Sequence, residues 1–294
     1  MAQSTREIRR RIKGVRSTQQ ITRAMEMVAA VKLNRVRAQA ENSRPYIDRL
    51  SMLMRIIRSS EVAALAEDHP VFRTTEGTRL LLIAITSDRG LCGTFNINMI
   101  NAVEHFFATN KEKQIMTIAV GKKGYDALLH KGYSVEKFFP VPASAALASD
   151  LRTINTLINE YFSSKSVDEV HICYTRFINV LRHEPTHLKL LPLSPLSAEE
   201  RTHLVKGEID FLMEPSFQEL ATALIPQYIE TAILHCLIES LTSEYAARMV
   251  SMRNATDNAD EMIKALTLTY NKARQAGITK ELIDIIGGVE ALKG

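Results

Sequence analysis

The 294-residue chain has no tryptophan and only 3 cysteines, Cys92, Cys173 and Cys236, too few and too widely spaced for a disulfide framework or a CxxC pair. Buried thiols in a reducing compartment follow. Glycine (12) and proline (9) are sparse, which excludes a collagen-like or low-complexity chain, and 46% hydrophobic with 24% charged residues excludes a mainly disordered one. The longest apolar run, Leu80 to Ile85, falls far short of the roughly 18 residues of a membrane-spanning helix. The opening MAQSTREIRRRIKG has no apolar segment of the kind a secretory leader needs, and a cytosolic-side protein is expected. Among the 8 histidines, His183, His187 and His203 included, no HExxH or other tight ligand spacing occurs, so no metal site is predicted.

What is present is unevenly distributed. Residues 1–60 hold 14 Lys and Arg against 4 Asp and Glu, a net +10, while the remainder carries 23 against 29, a net −6. In that basic segment Ile8, Ile12, Val15, Ile21, Met25, Val28, Leu33, Val36, Ile47, Leu50, Met54 and Ile57 recur mostly three or four apart. This predicts a long helix with one narrow apolar stripe, a coiled-coil-like seam that needs a partner helix. Pro45 predicts a kink or restart near Ser43. Binding of nucleic acid by the basic helix would be driven by salt-dependent phosphate contacts, but Tyr46 is its only aromatic residue for stacking on bases, and a charged surface facing a protein accounts for the same residues.

A second helical rhythm fills the C-terminal third, from Leu220, Leu224 and Tyr228 through Leu234, Ile238, Leu241, Tyr245, Met249 and Met252 to Ala259, Ile263, Leu266, Tyr270 and Ala273. Unbroken from Pro226 to Ile286, it would reach roughly 90 Å at 1.5 Å per residue, with Gly287 and Gly288 marking its stop. Pairing the two terminal helices antiparallel is the economical arrangement. Between them, RLLLIAIT (Arg79 to Thr86), QIMTIAV (Gln114 to Val120) and Glu169 to Phe177 read as buried strands, with helices near Asn96 to Thr109, Lys123 to Lys131 and Ser149 to Tyr161. A return strand within Phe177 to Leu193 completes a mainly parallel sheet, and Pro192, Pro195 and the polar stretch to Lys206 lead to the last helix. The predicted fold class is α/β: a long antiparallel coiled coil of the N- and C-terminal helices with a central Rossmann-like α/β domain. The segments are 1–60, 61–208 and 209–294.

Two turns carry enzyme-like chemistry. Ser87-Asp88-Arg89-Gly90-Leu91-Cys92-Gly93 follows a strand and precedes a helix, where α/β enzymes place a phosphate cradle or a nucleophile. Gly121-Lys122-Lys123-Gly124 stands in the same position after the next strand. Neither is GxGxxG or a complete P-loop, and Cys92 as nucleophile would need a base that the sequence does not identify. Tight turns explain both, and an α/β enzyme using Cys92 or the GKKG turn, with the long helices for dimerisation, remains the alternative.

Three blocks go beyond patterning: TQQITRAMEMVAA (Thr18 to Ala30), SDRGLCGTFN (Ser87 to Asn96), and RMVSMRNATDNA (Arg248 to Ala259) followed by LTLTYNKARQAGITKEL (Leu266 to Leu282). In identity and order they resemble the gamma subunits of F-type ATP synthases, along the whole chain. The resemblance implies a non-catalytic rotor shaft with no cofactor or metal of its own, set among three alpha and three beta subunits, docked at its base on epsilon and the c-ring, and coupling proton flow to ATP synthesis. It implies beta-subunit catch contacts for Arg274, Gln275 and Thr279 and shaft positions that affect coupling for Met25 and Arg248. It also implies an apolar sleeve around Ile285, Ile286, Val289 and Leu292, and a base near the c-ring for Phe211 and Glu214. The widely separated cysteines are unlike the regulatory insertion of chloroplast forms. A bacterial subunit is expected, peripheral on the cytoplasmic face of the inner membrane, reaching the membrane only through the complex and binding no nucleic acid.

Overall fold

A computed structural model describes residues 5–59, 77–142, 147–193 and 217–293. Contacts divide the chain into two units, Met1–Ala30 with Arg248–Gly294, and Val31–Ala247. The larger unit is built on a sheet of order β3-β2-β1-β4-β5. The run of Leu80 to Ile85 becomes its central strand, β1 (Arg79–Ile85), flanked in parallel by β2 (Gln114–Val120) and β4 (Glu169–Phe177). Strand β3 (Lys137–Phe139) adds a parallel edge, and β5 (His183–Leu191) returns antiparallel on β4 at the other. The expected strands and return hairpin are all present; β3, a three-residue edge strand, is an addition that so short a segment does not advertise.

Because β1 is covered on both faces, its apolar residues need not alternate with polar ones. One face carries α2 (Phe95–Thr109) and α3 (Lys122–His130): Leu80, Leu82, Ala84 and Cys173 of the sheet meet Met99, Val103, Phe106 and Leu128. The other face carries α4 (Leu147–Ser163) and a stretch of the last helix, where Leu81, Ile83 and Ile172 meet Ile154, Ile158, Ile229 and Cys236. Each such side chain withdrawn from water contributes on the order of 2 kcal/mol before chain entropy is charged against it.

The first helix lies within its expected span without the expected kink, and the last extends past its expected end at Ile286. Helix α1 (Thr5–Ser59) passes Pro45 without interruption, and α5 (Phe217–Lys293) passes Pro226 and the Gly287-Gly288 pair. Burial of Ile47, Leu50 and Met54 after Pro45 holds α1 in helical register despite the missing N–H. Neither Gly287 nor Gly288 takes the positive φ of a helix-terminating glycine. In the larger unit α1 and α5 run antiparallel, with Lys32 Nζ 5.5 Å from the Tyr245 ring centre and Gln227 Nε2 donating to Tyr46 Oη at 2.6 Å. In the smaller unit Thr22 and Thr256 share a 2.8 Å hydroxyl hydrogen bond, and Gln19 Nε2 donates to Asp260 at 3.5 Å, again antiparallel. The predicted fold class is therefore present.

The seam of α1 differs from the expected stripe. Ile21 and Val28 are more than half exposed, whereas Thr22 and Ala29 beside them are buried. Positions 8, 12, 15, 19, 22, 26, 29, 33, 36 and 40, all buried or half-buried, follow a period near 3.5, with Met25 and Ala30 half-buried beside them, so the seam is regular but partly polar or small. Thr22 finds a hydroxyl partner across it and Ala29 takes little room, which is how non-apolar residues come to occupy it.

Candidate functional site

The turn after β1 is held by its own side chains. Ser87 Oγ donates to Arg89 C=O at 2.7 Å, Asn96 Oδ1 accepts from Ser87 N–H at 3.1 Å, and Asn96 Nδ2 lies 2.8 Å from Ser87 Oγ and 3.2 Å from Cys92 Sγ. Cys92 is 2% exposed and packs with Phe95 and Ala247. A nucleophile must reach substrate; this thiol is enclosed by the turn, α2 and α5.

The second turn has spent the donors that a phosphate would need. Gly121 N–H donates to Phe139 C=O, Lys122 N–H to Asp88 Oδ1, Lys123 N–H to Ser87 C=O and Gly124 N–H to Thr86 Oγ1, all between 2.9 and 3.0 Å. Asp88 thus sets a carboxylate where the start of α3 would otherwise attract an anion, and its other oxygen accepts from Val141 N–H at 3.1 Å. Gly121 has φ +100°, and a Cβ on it would lie 2.4 Å from Thr86 O; one on Gly124 would lie 2.6 Å from Thr86 Oγ1. These glycines permit two turns to touch.

In a sheet of order 3-2-1-4, ligands bind beyond the carboxyl ends of β1 and β4, where the crossovers leave in opposite directions. Here α5 occupies that place: Glu239, Ser240 and Ser243 bond to the backbone of Thr175 and Phe177 at the end of β4, and Ala247 packs on Cys92 and Phe95 after β1. The crevice at which this topology holds nucleotides is filled by the protein's own helix.

On the α2-covered face, near the β4–β5 edge, Glu169, His171, His187 and Lys189 form a chain. Lys189 Nζ donates to Glu169 Oε1 at 2.7 Å, Glu169 Oε2 is 2.9 Å from His171 Nε2, and His171 Nδ1 is 2.7 Å from His187 Nε2. Burial pushes His171 down to about 4. Burial opposes ionisation of Glu169 as well, but hydrogen bonds from Lys189 and His171 hold it below the ordinary carboxylate value. With an ionised acceptor at Nε2, neutral His171 carries its proton there, and its Nδ1 accepts from His187 Nε2–H. A cavity of about 380 Å³ beside the pair is lined by Phe106, Thr109, Asn110, Cys173 and Pro185 among others. Burial also raises the Cys173 thiol to about 12 and the Cys236 thiol above its ordinary value, so neither supplies a thiolate at neutral pH. Among the described residues no group of three His, Cys, Asp or Glu is placed to hold a metal, and no helix is long and apolar enough to cross a membrane.

In the smaller unit, Met25 is half-buried and Arg248 is half-buried with interactions of its own. Arg274, Gln275 and Thr279 are exposed on α5, Thr279 Oγ1 donating only back to Gln275 C=O at 3.0 Å. Extended along both helices, the register of the Gln19–Asp260 and Thr22–Thr256 contacts sets Thr5 opposite the region of Ala273, so α5 from Arg274 onward has no facing residue on the described part of α1. On that length Ile278, Leu282, Ile283, Ile285, Ile286 and Val289 are 48 to 64% exposed. Leu292 lies in the same helix; Phe211 and Glu214 lie outside the described residues, as do most of the residues linking β5 to α5. An apolar surface of this extent on a helix marks a place for another protein.

A family model described as ATP synthase matches residues 4–292. An ATP synthase gamma chain of Syntrophobacter fumaroxidans is 40% identical over 291 residues, covering 98% of both chains. The chain belongs to the ATP synthase gamma-chain family. A gamma chain of Symbiobacterium thermophilum is also 40% identical, over 299 residues and the full length of both. In fold, the chain is similar to one in the cryo-EM structure of the OSCP/F1/c-ring portion of the Euglena gracilis mitochondrial ATP synthase, with TM-score 0.65, 22% identity, and coverage of 98% of this chain and 94% of that one.

In this chain both enzyme-like turns are closed by their own hydrogen bonds. Met25 and Arg248 are half-buried, and Arg274, Gln275, Thr279, Ile285, Ile286 and Val289 are exposed, all on helices and none lining the cavity beside His171. Sequence reasoning missed the α5 side chains seated on β4. The signal was available only as an anomaly: Glu239, Ser240, Thr242, Ser243 and Glu244 crowd polar groups into a stretch of α5 where all five are buried.

Proposed function

We propose that the chain is the central rotor shaft of a proton-driven F-type ATP synthase, a non-catalytic subunit that couples c-ring rotation to conformational change at the catalytic beta subunits. The observation that carries this reading is full-length membership of the gamma-chain family in a chain whose α5 runs on, exposed, past its antiparallel partner. A helix pair with Ile21 and Val28 outward on one part of α1 and Arg and Lys elsewhere presents different chemistry at different angles. Inside a ring of three equivalent alpha–beta pairs it cannot meet all three alike, so its angle sets three different affinities for nucleotide. Turning the shaft then becomes work on the binding sites.

In this reading Arg274, Gln275 and Thr279 take up the beta catch loop, and Met25 and Arg248 act within the shaft. Ile285, Ile286, Val289 and Leu292 turn in an apolar sleeve, and Phe211 and Glu214 belong to the base facing epsilon and the c-ring. The protein sits peripherally on the cytoplasmic face of a bacterial plasma membrane, held there by the complex. The rival enzyme reading is tested with Cys92→Ala in the complex assembled with alpha and beta. Loss of one buried sulfur costs stability of about 1 kcal/mol, and ATP turnover is expected to stay near normal. Abolished turnover in an intact complex would overturn the assignment of Cys92 to the turn.

A further inference from the structure

The crevice between β1 and β4 holds more than packing. The last β1–β4 pair is Ala84 with Cys173; beyond it β4 continues to Phe177 with no strand of the described residues on that side. Three side chains of α5 take the missing strand's place. Ser240 Oγ accepts from Thr175 N–H at 3.0 Å, Ser243 Oγ donates to Thr175 C=O at 3.2 Å, and Glu239 Oε2 accepts from Phe177 N–H at 2.7 Å. Thr175, Ser240 and Ser243 are at most 2% exposed, and Glu239 is 7% exposed. Ser240 and Ser243, three residues apart, share one face of the helix, with Glu239 beside them.

Apolar side chains packed on a sheet resist separation but tolerate small sliding and rotation, because such contacts have no preferred direction. Hydrogen bonds to a strand's backbone do have direction. In a site this dry, sliding or twisting α5 would strand three polar groups without water to replace the lost partners. The bonds also bridge sequence separations of 62 to 68 residues, so they join two distant parts of the chain rather than neighbours in one turn.

We infer that Glu239, Ser240 and Ser243 are positioning residues that form a torque joint, fixing α5 to the sheet against rotation and sliding, in the crevice where related topologies hold a nucleotide. The inference rests on the rotor reading: a force delivered to the sheet domain turns the helix instead of slipping past it. Glu239→Gln keeps a carbonyl oxygen to accept from Phe177 N–H and retains the joint; alanine at the three positions removes it.

The test uses the complete complex with its alpha, beta, epsilon and c subunits. Alpha and beta are immobilised, and a bead is attached through Lys111→Cys, an exposed position in the sheet domain, the native cysteines being buried. The variance of bead angle within a pause reports the torsional stiffness between shaft and sheet. Combined Glu239→Ala, Ser240→Ala and Ser243→Ala is expected to raise that variance at least twofold while ATP hydrolysis per complex is unchanged, and Glu239→Gln is expected to match the wild type. Should the triple variant fail to assemble, Ser240→Ala with Ser243→Ala is read the same way. Unchanged variance in an assembled alanine variant overturns the joint alone. A wild-type complex whose bead never rotates under ATP overturns the rotor reading and the joint with it.

Discussion

Replacing His171 by leucine should flatten the protein's loss of stability between pH 7 and pH 5. In the unfolded chain a histidine takes up its proton near 6.5, whereas buried His171, whose Nδ1 must accept from His187, does so only near 4. As pH falls below 6.5, the unfolded state therefore binds a proton that the folded state refuses, and stability is lost until the folded value is reached. Between pH 7 and pH 5 the loss from this group is about 2 kcal/mol, and by pH 4 about 3 kcal/mol. Its side chain is only 7% exposed, so little solvent screening reduces the figure. The window above pH 5 separates this effect from Glu169, whose depressed value makes its own contribution disappear only at lower pH. Urea unfolding followed by circular dichroism at pH 7 and pH 5 measures the difference. The leucine variant starts less stable at pH 7, having lost two buried hydrogen bonds, yet its decline to pH 5 should be about 2 kcal/mol smaller than the wild type's. Equal declines in the two proteins would refute the neutral, proton-refusing state assigned to His171.

Other expectations follow from single contacts. Gly121→Ala combines a φ of +100° with a Cβ 2.4 Å from Thr86 O and should cost about 3 kcal/mol or more, read as a lowered Tm of the purified protein. Thr117→Val removes a buried hydroxyl that has no hydrogen-bond partner and should stabilise by about 1 kcal/mol in the same assay. Arg274→Ala with Gln275→Ala, both exposed on α5, should leave the circular dichroism spectrum unchanged while lowering ATP synthesis and hydrolysis by the complex roughly tenfold, on the proposed contact with the beta catch loop. Wild-type rates in that double variant would remove these residues from the catch.

Much of the fold was legible because the signals were local. β1 is buried on both faces and so reads as an unbroken apolar run, and the 3.5-residue rhythm of α5 from Met252 to Ala273 reappears as its protected face. Where legibility failed, the partner lay elsewhere in the chain. Thr22 and Ala29 read as polar and small, and yet they, rather than Ile21 and Val28, line the seam, Thr22 by a hydroxyl bond to the facing Thr256 that its own neighbourhood does not announce. Gly287 and Gly288 predict a helix end by local cost, about 1 kcal/mol each, but α5 continues through them. The joint on β4 was invisible for the same reason: a serine that bonds a backbone 65 residues away leaves no pattern in its own neighbourhood. The assignment of helix residues to partners rests on motif resemblance alone, because an exposed Arg274 looks alike whether it faces water or another subunit.

The most direct test of the account is to immobilise alpha and beta in a complex containing this chain, attach a probe at Lys111→Cys, and watch it under ATP. A rotor shaft turns the probe one way, with evenly spaced pauses set by the threefold ring of catalytic sites. A probe that stays still while the same complex hydrolyses ATP would contradict it.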